Sequence, residues 1–361
     1  MKKRSRVVIV LIVLVVLVAA GLRLARKPVG DWLFTRAVEK NVGIDPSVKL
    51  ADGLHAYLCG SGSPLPDTQR AGPCVAVLAG QDAFVFDAGS GSVRKLLRMG
   101  FPIGKLKGVF LTHLHSDHID GLGELLLQSW IGGSRAAPTP VYGPAGTDRV
   151  VNGLREAYAI DEGFRIAHHG AKVANPAGYG GEAHILSLPD GLPGMAPAWR
   201  GDGVTITVVR VHHDPVKPAF GYRIDYKGRS LTLSGDTTYS QTLAEAARGS
   251  DVLFHEAMNM GMVREMGAVL ARRGQANTAR IMHDIQGYHS SPEDAARVAR
   301  EAGAKLLVLY HLVPPLPSRF MDAAFLGDAP DDFGGKIIVG RDGLRIDLPA
   351  GSKAIETHET L

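Results

Sequence analysis

One seven-residue stretch, Thr112–His118, contains three histidines and one aspartate directly after an apolar run that is typical of a buried strand. Imidazole nitrogens and carboxylate oxygens are ligands that suit zinc, and a strand ending in a tight turn can direct alternate side chains to one point. We therefore expect His113 and His115 to face one ion. Asp117 and His118 would face a second ion a few ångströms away. A solvated histidine-rich loop is the alternative interpretation of this stretch alone.

Three further candidate ligands each follow a strand-like run of apolar and β-branched residues: His213, Asp236 and His311. Sites on α/β folds collect at the carboxyl ends of strands, so this shared placement predicts that the three side chains meet the first cluster. A carboxylate such as Asp236 has two oxygens with which it could bridge two metal ions. His212 is a rival to His213, and the alternation of side chains along a strand would turn it away if His213 binds.

The elements that must position these residues alternate between strands and helices. The predicted order is strands within 50–90, a helix over 92–98, a strand into His113, a helix over 121–130, strands within 204–235, a capped helix over 291–302 and a last core strand over 306–310. Frequent proline, glycine and alanine across 170–202 predict a loop or an irregular insertion over the site. This alternation fits a four-layer sandwich of the α/β class.

The same motifs resemble the metallo-β-lactamase superfamily, and the match covers nearly everything after residue 50. The shared features are HxHxDH, a later strand-end histidine, Ser-Gly-Asp-Thr and a final strand-end histidine. Four segments look like the ribonuclease Z branch rather than the lactamase branch: Gly221–Ile224, Ser234–Thr237, His255–Ala257 and His289–Ser291. Three more are similar to the arylsulfatase-like group within that branch: Gly60–Pro64, Gln128–Trp130 and His311–Pro315.

The resemblance implies a four-layer αββα metallo-β-lactamase sandwich that holds two Zn²⁺ ions, with other divalent metals as alternatives. It implies one zinc on His113, His115 and His213, a second on Asp117, His118 and His311, and Asp236 as the bridge. It further implies that Asp117 orients or deprotonates the attacking water and that Asp87 supports the metal-bearing loop. By the same resemblance His289 donates a proton to the leaving group while Glu256 holds its ring.

The N-terminal segment predicts where the chemistry takes place. Basic residues precede an uncharged apolar run over 7–22, which falls between the length of a signal-peptide core and that of a spanning helix. We expect residues 1–27 to be a signal peptide or a membrane anchor (a transmembrane helix), 28–50 a short helical lead-in and 51–361 the catalytic domain. The enzyme would then be exported to the periplasmic or extracellular face, either anchored or secreted after cleavage.

Cysteine content and charge leave two further expectations. Cys59 and Cys74 are the two cysteines, and a disulfide and a pair of free buried thiols are both open. Seven of the 40 basic residues lie in the first 27 positions, so residues 28–361 carry 33 basic against 36 acidic residues. No run of lysine and arginine follows residue 30, which favours a small-molecule partner over nucleic acid.

The expected function is an exported binuclear zinc hydrolase that cleaves a small ester, with sulfate and phosphate esters favoured, by means of a metal-bound hydroxide. The alternatives are a lactone or β-lactam hydrolase and a ribonuclease Z-like phosphodiesterase. A membrane-tethered zinc-binding protein without catalysis is the alternative from a different class, and the full ligand set argues against it.

Overall fold

The computed structural model describes residues 2–188 and 194–361, and the chain forms two compact units, Met1–Val48 and Lys49–Leu361. The first unit contains one long helix, α1 (Lys2–Asn41), and a short 3₁₀ turn at Pro46–Lys49 includes the boundary between the units. The helical part of the expected lead-in over 28–50 is therefore the continuation of α1, which runs through Pro28 to Asn41. Among the described residues, no helix combines the length and apolar character that crossing a membrane requires, so the predicted transmembrane helix is not found there.

The second unit contains ten helices and fifteen strands within the described residues. The helices are α2 (Ser92–Arg98), α3 (Ser116–Ile119), α4 (Leu122–Gly132), α5 (Thr147–His169), α6 (Gln241–Ala246), α7 (Met260–Arg272), α8 (Ala276–Asp284), α9 (Pro292–Ala302), α10 (Asp322–Leu326) and α11 (Ala329–Phe333). The strands are β1 (Gly53–Gly60), β2 (Cys74–Ala79), β3 (Asp82–Phe86), β4 (Leu106–Phe110), β5 (Thr139–Gly143), β6 (Gly181–Ile185), β7 (Met195–Gly201), β8 (Val204–His213), β9 (Val216–Tyr226), β10 (Arg229–Leu233), β11 (Val252–Met258), β12 (Leu306–Val313), β13 (Lys336–Val339), β14 (Leu344–Pro349) and β15 (Glu356–Glu359).

The strands form two mixed sheets that face each other. The first has the order β15-β14-β1-β2-β3-β4-β5-β6, and the second has the order β13-β12-β11-β10-β9-β8-β7. A core of buried apolar residues from both sheets, including Phe86, Phe110, Tyr222 and Phe254, fills the space between them. Helices α2, α4 and α5 cover the outer face of the first sheet, and α6, α9, α10 and α11 cover that of the second. The predicted four-layer αββα fold is thereby confirmed.

Two predictions about local structure are wrong in part. The stretch 170–202 contains β6 and β7, because each adds to the edge of a sheet whose neighbours satisfy its backbone hydrogen bonds. Residues 189–193 of that stretch lie outside the described residues. The last core strand continues beyond position 310 to Val313, and its pairing with β11 shifts register across His311, which has a φ of 47°. This irregularity is a bulge that re-aims the His311 side chain.

Cys59 and Cys74 form a disulfide between β1 and β2, and the two positions are 15 apart in sequence. The bridge closes the loop 61–73, whose backbone is hydrogen-bonded to the turn after β3: the Gly72 N–H donates to the Ser90 carbonyl oxygen and the Gly89 N–H to the Pro73 carbonyl oxygen. Cross-linking a loop of about 15 residues reduces the entropy of the unfolded chain by an amount equivalent to roughly 3 kcal/mol. We therefore expect the Cys59→Ala/Cys74→Ala variant to lose about 2–4 kcal/mol in urea unfolding under non-reducing conditions. An unchanged unfolding midpoint together with free thiols in the native protein would contradict the bridge.

Candidate metal centre

The carboxyl ends of strands from both sheets meet at one edge of the sandwich and carry the predicted metal-binding residues. β4 ends at Phe110, and the turn that follows leads into α3, so that His113, His115, Asp117 and His118 come from one short segment. His213 is the last residue of β8, Asp236 follows β10 after Gly235, and His311 lies in the bulge of β12. The structure brings all seven side chains together. His113, His118, His213, Asp236 and His311 are buried, whereas Asp117 is half-buried and His115 is exposed.

The first half of the cluster consists of His113, His115 and His213. His115 Nδ1 lies 3.0 Å from His113 Nε2 and 3.4 Å from His213 Nε2. Two ligand atoms that share a tetrahedral zinc at about 2.0–2.1 Å lie roughly 3.4 Å apart. The spacing of these three nitrogens therefore suits a shared ion.

The second half of the cluster consists of Asp117, His118 and His311. Asp117 Oδ2 lies 3.3 Å from His311 Nε2 and 3.6 Å from His118 Nε2. These three donors form a group of atoms within 4.8 Å of one another. A carboxylate with two imidazoles is a donor set that suits zinc and other divalent metals.

Asp236 lies between the two halves. Its Oδ2 atom is near four histidine Nε2 atoms, at 3.3 Å (His311), 3.4 Å (His118) and 3.9 Å (His113 and His213). The approach depends on Gly235, whose φ is 62° and at which an added Cβ would lie 2.3 Å from the Phe220 carbonyl oxygen. A side chain at position 235 would thus displace the loop that places Asp236.

The buried groups of this centre fit a metal cation. Among the described residues, His118 Nε2 and Asp236 Oδ1 are buried without a hydrogen-bond partner, an arrangement that a protein rarely leaves uncompensated. Burial lowers the pKa of His311, but the carboxylates of Asp236 and Asp117 outweigh it and raise that pKa to about 9. The centre therefore favours positive charge. Burial together with His118 holds the pKa of His113 well below its usual range, and neutral imidazole is the form that binds metal.

Asp87 is hydrogen-bonded to the segment 112–118, which carries four of the candidate ligands. Its carboxylate accepts hydrogen bonds from the Thr112 N–H, the Thr112 hydroxyl and His118 Nδ1, each at 2.8 Å. The hydrogen bond from His118 Nδ1 to Asp87 fixes the orientation of the His118 ring, so that Nε2 faces the centre. Carboxylates commonly orient metal-binding histidines in this way.

Replacing Asp87 with alanine is expected to weaken metal binding about 10–100-fold. Three buried donors would lose their acceptor, at a cost of about 1–3 kcal/mol each. Isothermal titration with Zn²⁺ and urea unfolding would measure the two effects. Asp82→Ala is a suitable control, because Asp82 begins β3, the strand that Asp87 follows, and its carboxylate pairs with the surface residue Lys107. Equal zinc affinity in both variants would contradict the supporting role of Asp87.

His289 and Glu256 form a hydrogen-bonded pair next to the cluster. The His289 ring stands 5.1 Å from the His213 ring and 5.5 Å from the His311 ring, centroid to centroid. Its Nδ1 lies 2.9 Å from Glu256 Oε1, which also accepts hydrogen bonds from the backbone N–H groups of Thr237 and Ser290. Glu256 is fully buried, so it fixes the orientation of the imidazole. All three predicted catalytic side chains, Asp117, Glu256 and His289, thus border the same centre.

The remaining histidine near the centre differs from its neighbour. His212 is exposed, while His213 is buried and its Nδ1 donates to the Tyr288 carbonyl oxygen at 2.9 Å. Sequence reasoning did not identify Tyr288. A contact made by a backbone carbonyl does not depend on the residue type, so no motif reveals it. The one available signal is that Tyr288 directly precedes His289 in sequence.

Comparison with known proteins adds a family to this geometry. The model of the beta-lactamase superfamily domain matches residues 83–312. A ribonuclease Z of Mycobacterium bovis is 38% identical over 298 residues, which are 82% of this chain and 98% of that protein. A ribonuclease Z of Mycobacterium marinum is 36% identical over 299 residues, again 82% of this chain and 99% of its own length.

A solved structure shares the fold at lower identity. The short form of human tRNase Z aligns with a TM-score of 0.58 and 20% identity, over 82% of this chain and 99% of its own. At this identity the likeness supports the fold alone. The family and the clustered donors together indicate a hydrolase with a divalent-metal site.

These relatives correct three predictions. The expected hydrolysis of a small sulfate or phosphate ester by an exported enzyme is wrong, because the similar proteins are named ribonuclease Z. The expected absence of a nucleic-acid partner and the expected membrane partner are wrong for the same reason. The predicted location at the periplasmic or extracellular face is contradicted as well. A net charge close to zero does not exclude RNA as a partner, because it sums charges over the whole surface, including faces that do not contact a substrate.

The family model covers more than half of the chain, and the mycobacterial ribonucleases are matched over nearly their whole length. This chain therefore belongs to the metallo-β-lactamase superfamily and, within it, to the ribonuclease Z family.

Proposed function

We propose that this chain is a metal-dependent phosphodiesterase that hydrolyses RNA, with a transfer RNA precursor as the first substrate to test. The observation that carries the proposal is the position of His289, held by buried Glu256 and facing a cluster of seven potential metal ligands. A phosphodiester of RNA has a poor alkoxide leaving group, so its hydrolysis requires both an activated water and a proton donor. The name of the similar mycobacterial proteins, ribonuclease Z, supplies the substrate class.

We further propose that the centre holds two zinc ions. His113, His115 and His213 would hold the first, Asp117, His118 and His311 would hold the second, and Asp236 would be shared. When bound, such ions lower the pKa of a coordinated water and stabilise the charge that develops on a phosphoryl group. The orphaned His118 Nε2 and Asp236 Oδ1 atoms support this assignment.

The chain's own residues would then divide the proton transfers. Asp117 is partly accessible, with its carboxylate 12% exposed, and is placed to orient the attacking water and to take its proton. Glu256 keeps the Nδ1 proton of His289 in place, so that Nε2 is the atom left to serve the leaving oxygen. The two roles thus fall to groups on different elements, α3 and the segment before α9.

The subgroup within the family and the extent of the catalytic domain are two further proposals. The closeness to the arylsulfatase-like group rests on the three short segments near Gly60, Gln128 and His311 and stays a prediction. The catalytic domain predicted over 51–361 corresponds to the compact unit Lys49–Leu361, and we propose that unit as the whole catalytic body.

The test compares substrates at equal enzyme concentration. The purified full chain, loaded with zinc, is assayed on a transfer RNA precursor extended at both ends, on bis(p-nitrophenyl) phosphate and on p-nitrophenyl sulfate. We expect the RNA to give the highest kcat/KM, and chelation to reduce all turnover about 100-fold or more with recovery on adding zinc. Turnover of small esters without any cleavage of the RNA would contradict the proposal.

A further inference from the structure

The chain between Glu256 and His289 forms an arginine-bearing helical hairpin, α7–α8, directly between two residues of the site. α7 and α8 pack against each other through a small apolar cluster that includes Val263 and Met282. α8 is otherwise mostly exposed. After α8, the chain returns through Tyr288, whose carbonyl oxygen contacts His213 Nδ1, to His289. The base of the hairpin is therefore fixed to the metal centre.

The charge of this hairpin differs from that of the rest of the second unit. Residues 260–284 contain four arginines against one glutamate and one aspartate, whereas residues 49–361 as a whole have 31 basic against 33 acidic residues. All four arginines are exposed: Arg264, Arg272, Arg273 and Arg280. Arg280 pairs with Asp284, but across the described parts of the chain Arg264, Arg272 and Arg273 form no ion pair.

Two of the unpaired arginines lie at the tip of the hairpin. Arg272 ends α7, Arg273 caps it, and α8 begins three residues later without a side-chain cap. Thirteen helical residues span about 20 Å, so the tip lies roughly that far along the helix from the base at Asn259. Guanidinium groups bind phosphate in bidentate fashion.

We propose that the α7–α8 hairpin is a docking arm for the phosphate backbone of RNA, with Arg272 and Arg273 contacting phosphates several nucleotides from the bond that is cleaved. This inference rests on the proposed ribonuclease function and goes beyond it by naming the surface that holds the substrate. A small diester is too short to reach the tip from the centre. The arm therefore increases affinity for RNA and leaves the chemistry of a small diester unaffected.

The experiment compares Arg272→Gln/Arg273→Gln with a control that removes the same charge elsewhere, Arg98→Gln/Arg248→Gln. Both control residues are exposed arginines: Arg98 ends α2 and Arg248 follows α6. KM and kcat are measured on a transfer RNA precursor at several salt concentrations, and kcat/KM is measured on bis(p-nitrophenyl) phosphate. Thermal unfolding of each variant reports any loss of stability, since arginines at a helix C-terminus also interact with its dipole.

For the hairpin variant we expect KM for RNA to rise about tenfold at low salt and the slope of log KM against log salt to fall by about 2, one for each lost phosphate contact. kcat and the small-diester rate should stay within about twofold, and the control should match the parent protein. RNA cleavage with an unchanged KM and salt slope would overturn the inference while leaving the ribonuclease function in place, and would direct attention to an acidic protein as the partner of the hairpin. Hydrolysis of the small diester without RNA cleavage by the parent protein would overturn both.

Discussion

Replacing Asp236 with asparagine is expected to reduce RNA hydrolysis about 1,000-fold or more and to lower the metal content of the protein. The carboxylate lies within 3.9 Å of four histidine nitrogens, and an amide of the same shape removes its charge while keeping its volume. A 1,000-fold reduction in rate corresponds to a loss of about 4 kcal/mol of transition-state stabilisation, since each tenfold change in rate equals about 1.4 kcal/mol. Single-turnover kinetics and metal analysis by mass spectrometry measure the two effects.

Asp120→Asn is the matched control for this variant. Asp120 directly follows α3, is exposed and lies outside the donor cluster. It should retain the parent metal content and activity within about threefold, as surface substitutions away from a site usually do. If Asp236→Asn kept both zinc ions and full activity, the shared position of Asp236 between the two half-sites would be wrong.

Replacing His289 with alanine is expected to affect substrates according to their leaving groups. Loss of a general acid typically costs 10²–10⁴-fold, and we expect a fall of about 1,000-fold on RNA, whose alkoxide must be protonated as it departs. On bis(p-nitrophenyl) phosphate, whose leaving phenolate needs no proton, we expect a fall of less than about tenfold. A plot of rate against leaving-group pKa should therefore steepen in the variant.

Glu256→Gln tests the positioning role behind His289. The amide can still accept one hydrogen bond from His289 Nδ1, so we expect a smaller loss on RNA, of about 10–100-fold. In the double variant the two losses should not add, because Glu256 acts through His289. If His289→Ala lost the same factor on RNA and on bis(p-nitrophenyl) phosphate, His289 would serve a purpose other than protonation of the leaving group.

Several parts of this account could be predicted from sequence because the signal was local. The segment 113–118 carries four potential ligands at strand-turn spacing, and each of His213, Asp236 and His311 follows a recognisable strand. Ser291, Pro292 and Asp294 indicated the start of α9, where the structure has a capping box. In these places local residue preference and the tertiary fold agree.

Other parts depended on contacts that no local pattern encodes. The bulge at His311 arises from the pairing of β12 with β11, and β6 and β7 are strands because they extend existing sheets. A run of basic residues is the sequence signal for a nucleic-acid partner, and the chain has none after residue 30. Arg264, Arg272 and Arg280 are spread over 17 positions, and only the folding of α7 against α8 collects them on one hairpin. The cysteines gave no pairing by themselves, because adjacency of β1 and β2 is a property of the sheet.

The central claim is that the centre around Asp236 hydrolyses RNA with water as the nucleophile. The most direct test is to cleave a transfer RNA precursor with the zinc-loaded protein in ¹⁸O-labelled water and to analyse the new ends by mass spectrometry. We predict one ¹⁸O atom in a linear terminal phosphate of one product. An unlabelled 2′,3′-cyclic phosphate would mean that the ribose hydroxyl attacks instead, and it would contradict the role assigned to the metal centre.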